Sequence, residues 1–596
     1  MEFVGLDPKR VQQLITQMES AKNVLGQTRP GLEADIAEAG PEWTGTQGTT
    51  AMHRAWHFFH DAQRDLKWRL DTISRMHPAP APSGTLKTAQ FHFASETEAA
   101  QAGKNAAAGI QKLLSEMRVE NRHDTWQKIE AALKAAKGPS ADPAFATALI
   151  KGLGPSGVSE VFQRWKDANA VGRKRGVPPE ELARGASTFG VLAQAVANAD
   201  TSGRLDDTTR KALVETAEVD ALTALVALAR QSTTFLNQVA KRALSTPPNG
   251  TPPDFSDADW NLQALIDAYD ANPEALQRLL AEDKTIAASL LHPHRITLNG
   301  LPETFEKQLA EVLDKALRPS TGDDSVRAQA WFNLMNGLGY EGSHKVSGHF
   351  GSLRDGPINQ VLARGVVPYL SQLALIEARR ASPNLAEHLK PTHPWESLDP
   401  SVAARFIGAL MQDSEASKTL LAELPKYGWG LDIGRFQPFE GAVERAEYTH
   451  LSARLGGLSA LLLGGLSYAE LSKEEYAEWA ADIALLPIGY AVNKWGNIAD
   501  AAAATTRDVG LDKLKEDLKK RIKKFFMEES TDEKEEEKEL GALANQLIDA
   551  QVQIVTTSLE LHGQPLTTAE DRDRITQEFR GRLYAPLVEA LKNLKD

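Results

Sequence analysis

Cysteine is absent from the 596-residue chain, which excludes disulfides, thiolate metal sites and a cysteine nucleophile. Basic charge is scarce: 67 Lys and Arg stand against 80 Asp and Glu, a formal net charge of −13. Nucleic acid is therefore not expected as a partner, because a binder needs basic surface to displace counterions. Met1-Glu2-Phe3-Val4 offers neither a basic region nor a long apolar core, so a cleaved secretory signal peptide is not expected. Convincing strand alternation and a βαβ rhythm are missing. So are a Walker A loop, a G-x-S-x-G elbow and an H-E-x-x-H pair. These gaps favour a non-enzymatic protein with no catalytic residues, cofactor or metal to name, although a triad assembled in space leaves no sequence signature.

What is present is helix. With 42% hydrophobic and 25% charged residues, the composition is that of a folded protein rather than a disordered one. Alanine- and leucine-rich segments with apolar residues three and four apart fill nearly the whole length. The expected fold class is all-α: an N-terminal antiparallel helical hairpin, then a multi-lobed helical body with duplicated helix pairs.

The hairpin is read from residues 1–77. Asp7-Pro8 is a helix start, with a capping carboxylate and a proline suited to the first helical position. Leu6 and Val11 are spaced as a hydrophobic staple. Leu14, Met18, Ala21, Leu25, Thr28 and Leu32 then alternate steps of four and three, and Pro30 predicts a kink or break over 26–30. Met52, Trp56, Phe59, Gln63, Leu66, Leu70 and Ile73 repeat the alternation. Two such stripes bury each other, which makes Leu14, Met18, Leu25, Trp56, Phe59 and Leu66 the expected interface. Trp43-Thr44-Gly45 stands at the bend, the indole closing the seam and the glycine allowing the turn.

On Trp43, Gly45 and the flanking stripes, residues 1–77 resemble the WXG100 superfamily, helical hairpins handled by type VII (ESX-type) secretion systems of actinobacteria and firmicutes. The resemblance implies a partner helical hairpin or self-association, contact with secretion machinery, and a cytoplasmic stage before export without a cleaved signal peptide. Family members or their partners carry a tyrosine followed four residues later by Asp or Glu. None of the nine tyrosines here has that neighbour. Either a partner supplies the signal, or the chain keeps the hairpin without export. The middle of the chain, at Asp142–Pro155 and at Asp270-Ala-Asn-Pro-Glu-Ala, is similar to large actinobacterial helical domains of unknown function that follow such hairpins.

Proline clusters suggest the remaining divisions: a Pro-rich linker at 78–95, a helical domain at 96–245, a first duplicated unit at 255–390 and a second copy at 399–450. The duplication rests on residues 264–282 aligned with 405–423, sharing Ile266/Ile407, Ala268/Ala409, Glu274/Glu415, Ala275/Ala416 and a closing Leu-Leu-Ala-Glu. Residues 451–527 hold Gly-rich apolar helices and a basic amphipathic helix, 528–539 an acidic loop, and 540–596 a C-terminal helical pair.

Several clusters invite chemical readings. His53, His57 and His60 at i, i+4 and i+7 could share a metal or simply edge the apolar stripe. Asp200-Thr-Ser-Gly-Arg-Leu-Asp206 resembles the start of a calcium loop without its closing glutamate, so a turn with a helix cap is expected. His292, His294, His344 and His349 lack partners nearby in sequence. Residues 455–468 and 479–492 are apolar but shorter than the roughly twenty residues that cross a bilayer. They read as core helices or as a concealed hairpin that inserts in membrane. Leu511, Leu514, Leu518, Ile522 and Phe525 line one helix face, with Lys519, Lys520, Arg521, Lys523 and Lys524 on the other, a pattern that also suits an anionic membrane surface.

The readings rank in order. First comes a type VII secretion-associated carrier or scaffold without enzymatic activity, then a membrane-acting toxin or effector using the C-terminal helices. An enzyme of unfamiliar type follows; a scaffold that is not exported would remain if secretion fails.

Overall fold

The structure is a computed structural model. It describes residues 2–40, 46–76, 87–169, 177–245, 260–291, 304–339, 356–381, 391–423, 457–466, 468–469, 471–484, 505–527, 534–535, 537–546, 548–549, 569–570, 573 and 577. The body is all-α, and it falls into two compact units. The first takes in the described residues up to Ser245 together with Trp260–Asn272; the second takes in those from Pro273 onward.

In the first unit, Asp7 caps helix α1 (Pro8–Ala39), its Oδ1 accepting from Lys9 N at 3.0 Å and Arg10 N at 3.3 Å. Helix α2 (Thr46–Met76) returns antiparallel along it. The expected break at Pro30 does not occur, and α1 runs through it. Pro30 and Gly26 are both exposed, so the Gly26 carbonyl that loses its donor faces water.

Two short strands close the base of the hairpin. Strand β1 (Glu2–Leu6) precedes α1, and β2 (Lys87–Phe91) follows α2; they pair antiparallel from Glu2↔Phe91 to Leu6↔Lys87. This ladder was not legible in the sequence. Strand β1 lies within the stretch read as the hairpin, and β2 within the stretch read as a linker.

Beyond β2 the helices pack through small residues. Ser95 accepts from Glu98 N to cap α3 (Glu96–Glu116), which buries Ala99, Gly103, Ala107, Ile110 and Leu114. After α4 (Arg122–Ala136), α5 (Pro143–Ala168) lies against α3 so closely that a Cβ on Gly103 would collide with the Phe145 carbonyl. Helix α5 breaks at Gly154, φ 64°, ahead of Pro155. The run Gly152-Leu-Gly-Pro-Ser-Gly157 has dinucleotide-loop spacing, but it lies at this helix–helix break with no strand before it.

Helices α6 (Pro179–Gly185), α7 (Phe189–Thr201), α8 (Asp207–Thr216), α9 (Val219–Leu228) and α10 (Thr233–Leu244) complete the core. Asp206 caps α8 by accepting from Thr209 N at 2.8 Å, and its ion pair with Lys151 holds the carboxyl well below the usual range. The calcium-like run is thus a turn with a cap. Helix α11 (Trp260–Ala271) packs on α9, where Asn261 accepts from Thr223 Oγ1 at 2.6 Å and donates to Asp220 at 2.9 Å. The unit boundary therefore falls after Asn272, inside the first echo rather than near 245–254.

Both echoed segments are helix pairs: Trp260–Ala271 with Pro273–Glu282, and Pro400–Met411 with Ser414–Glu423. The second unit also contains Thr304–Leu317, Asp324–Gly339, Pro357–Val366 and Leu370–Ala381, whose inner faces bury Leu309, Leu313, Trp331, Leu334, Leu362 and Leu373. Residues 457–466 form a helix with Leu458 to Leu463 fully buried. It crosses Pro400–Met411 backbone to backbone: a Cβ on Gly408 would collide with the Gly465 carbonyl, and one on Gly465 would meet Ile407. The Gly-rich apolar stretch is therefore core where it is described. The described part of the acidic run, residues 534–535 and 537–539, is helical and exposed rather than a loop.

Candidate functional site

The hairpin is the most distinctive described element, and its seam is more polar than the stripes suggested. Val11 and Ile15 are buried, whereas Leu14, placed on the seam by spacing, is 43% exposed. Met18, Leu25, Trp56, Phe59 and Leu66 are half-buried. Between them, Lys22 Nζ donates to Gln63 Oε1 at 3.1 Å and pairs with Glu19 at 2.8 Å, while Gln63 Nε2 donates to the Ile15 carbonyl at 3.3 Å and to Glu19. Farther out, Gly26 faces Trp56 and Arg29 Nη1 lies 2.7 Å from His53 Nδ1. Long cationic side chains occupy seam positions because their aliphatic stems pack while the heads reach polar partners. The buried stripe lies one residue along from the one expected, at Ile15 rather than Leu14. Trp43 and Gly45, the motif at the bend, lie outside the described residues.

The base of the hairpin is anchored by residues that spacing did not single out. Trp68 is fully buried, and its Nε1 donates to Asp142 Oδ2 at 2.7 Å. The other Asp142 oxygen caps α5, accepting from Ala144 N at 2.8 Å and Phe145 N at 3.2 Å. Burial pushes the Asp142 carboxyl up, opposed by those hydrogen bonds. The Arg69 guanidinium lies over Trp68 at 5.4 Å and Phe91 at 5.6 Å, and Arg75 Nη1 donates to Thr201 Oγ1 at 2.5 Å. The Asp142-Pro143 start was readable as a cap. Trp68 was not readable as its partner, because it lies off the Leu66–Leu70 stripe.

The three histidines do not converge. Arginine only donates, so its contact makes His53 Nδ1 the acceptor and leaves the proton on Nε2, which lies 3.1 Å from His57 Nε2. His60 instead stacks on Trp56 at 5.1 Å. Among the described residues no group of three or more His, Asp or Glu is disposed to hold a metal. Desolvation, with His57 and Arg29 alongside, holds His53 below the ordinary imidazole value. A depressed base stabilises the fold above its unfolded value near 6.5 and loses that contribution as pH falls through the lower folded value. Hydrogen exchange at residues 26–30 and 51–57 is expected to quicken as pH drops from 7 to 5, after correction for intrinsic rates, in wild type but not in His53→Gln.

The basic C-terminal helix, Thr505–Met527, is engaged within its own unit. Leu518, Ile522 and Phe525 are buried, and Tyr476 of the Lys473–Ala484 helix packs edge-on against Phe526 at 5.9 Å. Lys519 pairs with Asp482 at 2.6 Å and Glu478 at 3.5 Å, and Lys523 with Glu478 at 3.1 Å. Lys519 and Lys523, both read as lipid-facing, are thus held by the neighbouring helix. Lys520, Arg521 and Lys524 remain exposed. Among the described residues no helix is long and apolar enough to cross a membrane. His292, His294, His344 and His349 lie outside the described residues.

The fold and the hairpin define an all-α protein with an anchored antiparallel helix pair. No protein-family model matches the chain, and no curated protein matches it in sequence.

Proposed function

We propose that this chain is a type VII secretion-associated helical protein, a non-enzymatic carrier or scaffold whose α1–α2 hairpin docks with a second helical hairpin. The observation that carries the reading is the pair Val24 and Phe58, 60% and 65% exposed. They lie level on the hairpin, since Gly26 faces Trp56 and Arg29 meets His53. Ala21, Ala51, Ala55 and Ala62 are half-buried or exposed nearby, and such small side chains leave room for another helix to approach. A hairpin of similar length would cover these positions, supplied by a partner protein or by a second copy. A membrane-acting role for the C-terminal apolar and basic helices has less support, because Leu458 to Leu463 and Leu518, Ile522 and Phe525 are already buried and Lys519 and Lys523 are paired.

Val24→Asp with Phe58→Asp in the full chain is expected to leave helicity and thermal midpoint unchanged while abolishing hairpin-mediated association, read by crosslinking of the purified chain and of its co-purifying small proteins. Culture supernatant and lysate from strains with and without the secretion machinery test export directly. The chain is expected outside only when the machinery is present. Equal retention in both strains would remove export and leave a scaffold that stays in the cell.

A further inference from the structure

The second unit contains a cavity of about 380 Å³ between the helices Thr304–Leu317, Asp324–Gly339 and Pro357–Val366 and the turn that follows. That volume lies in the range of small-molecule sites, roughly 300–1,000 Å³. Arg318, Arg327, Trp331, Arg364, Gly365 and Tyr369 line it.

Trp331 is fully buried, and its indole Nε1–H has no hydrogen-bond partner. A buried donor without an acceptor costs folding free energy, and with no surface open to the cavity this one is a cost of packing the wall rather than a contact for a ligand. The ring edge next to Nε1 lies against Gly365, where a Cβ would collide with Cζ2 and Cη2. The glycine is what allows the indole to form this part of the wall. Tyr369 packs beside it at 6.1 Å, and Trp395 backs Tyr369 at 5.0 Å.

The charges are unequally committed. Arg327 is buried and spent on the structure, donating to the Pro319 carbonyl at 3.1 Å and the Thr321 carbonyl at 3.4 Å and pairing with Asp324. Arg318 pairs with Asp314 at 2.5 Å. Arg364 is exposed at the rim and makes no ion pair among the described residues. Three arginines against Asp314 and Asp324 leave the lining with one net positive charge, on a chain whose net charge is −13.

We propose that this cavity binds a small molecule with an aromatic or otherwise planar apolar body and one anionic group. The anion is held by the Arg364 guanidinium, and the body lies along Tyr369 and Pro368. The site is independent of the hairpin and gives the helical body a cargo of its own.

The test uses the full chain with 4-fluorobenzoate as probe and 4-fluorobenzyl alcohol as its uncharged control, read by ¹⁹F line broadening. The acid is expected to broaden saturably and the alcohol far less. Arg364→Ala is expected to weaken the acid by about tenfold, the loss of one charge-assisted contact. Arg364→Ala touches only an exposed side chain, so a loss of affinity in it reports on the site and not on the fold. Displacement by inorganic phosphate would point to a phosphoester ligand, and resistance to phosphate to a carboxylate. Absence of saturable broadening, equal broadening by acid and alcohol, or acid binding unchanged in Arg364→Ala would overturn the proposal.

Discussion

Trp68→Ala is expected to destabilise the first unit by about 3–5 kcal/mol, the range for truncating a fully buried tryptophan. The change empties the space against Phe91 and leaves Arg69 without the ring beneath it. It also strips the Asp142 carboxylate of its indole donor while that oxygen stays buried. Both effects act at one place, where α2 meets the start of α5. Amide protection over residues 62–76 should fall by two orders of magnitude or more, since each 1.4 kcal/mol is a factor of ten. Trp68→Phe separates the contributions: it keeps an aromatic ring and forfeits the hydrogen bond, for about 1–2 kcal/mol. Wild-type protection in Trp68→Ala would show that the hairpin is not held by this anchor.

Gly408→Val carries the second large effect. The helix Pro400–Met411 meets residues 457–466 with main chain against main chain, and any side chain at 408 must displace the Gly465 carbonyl or the Tyr468 Cβ. Overpacking a filled core typically costs about 1–3 kcal/mol, and backbone has little freedom to yield, so the upper end or beyond is expected. A thermal midpoint lowered by several degrees and new proteolytic cleavage within 457–466 are the signatures. An unchanged midpoint would mean that this Gly-rich helix is only loosely seated, and would reopen the reading of it as a segment that leaves the core for a membrane.

The helical class was legible because three-and-four spacing and Asp-Pro starts report directly on local structure. Asp7-Pro8 and Asp142-Pro143 both open helices as their chemistry dictates. Spacing failed where tertiary partners decide. Lys22 and Arg29 take seam positions because Gln63 and His53 stand across from them, and no property of α1 alone reveals those neighbours. The strands stayed hidden for the same reason: each is five residues long, and its partner lies beyond the whole hairpin. The basic helix showed its amphipathic face plainly, yet only Glu478 and Asp482 reveal what neutralises part of it. The arginine-lined cavity was unreadable, since Arg318 comes from a turn and Trp331 and Arg364 from two separate helices.

The pairing of Glu2–Leu6 with Lys87–Phe91 imposes an order on synthesis. While the ribosome is still making α2, the leading strand has no complement to bond with. Contacts between neighbouring helices form at short sequence separation, and the ladder closes across the full span of both. A nascent chain stalled before residue 87 would therefore carry the coupled helices with Glu2–Leu6 unpaired. Only elongation past Phe91 would complete the ladder.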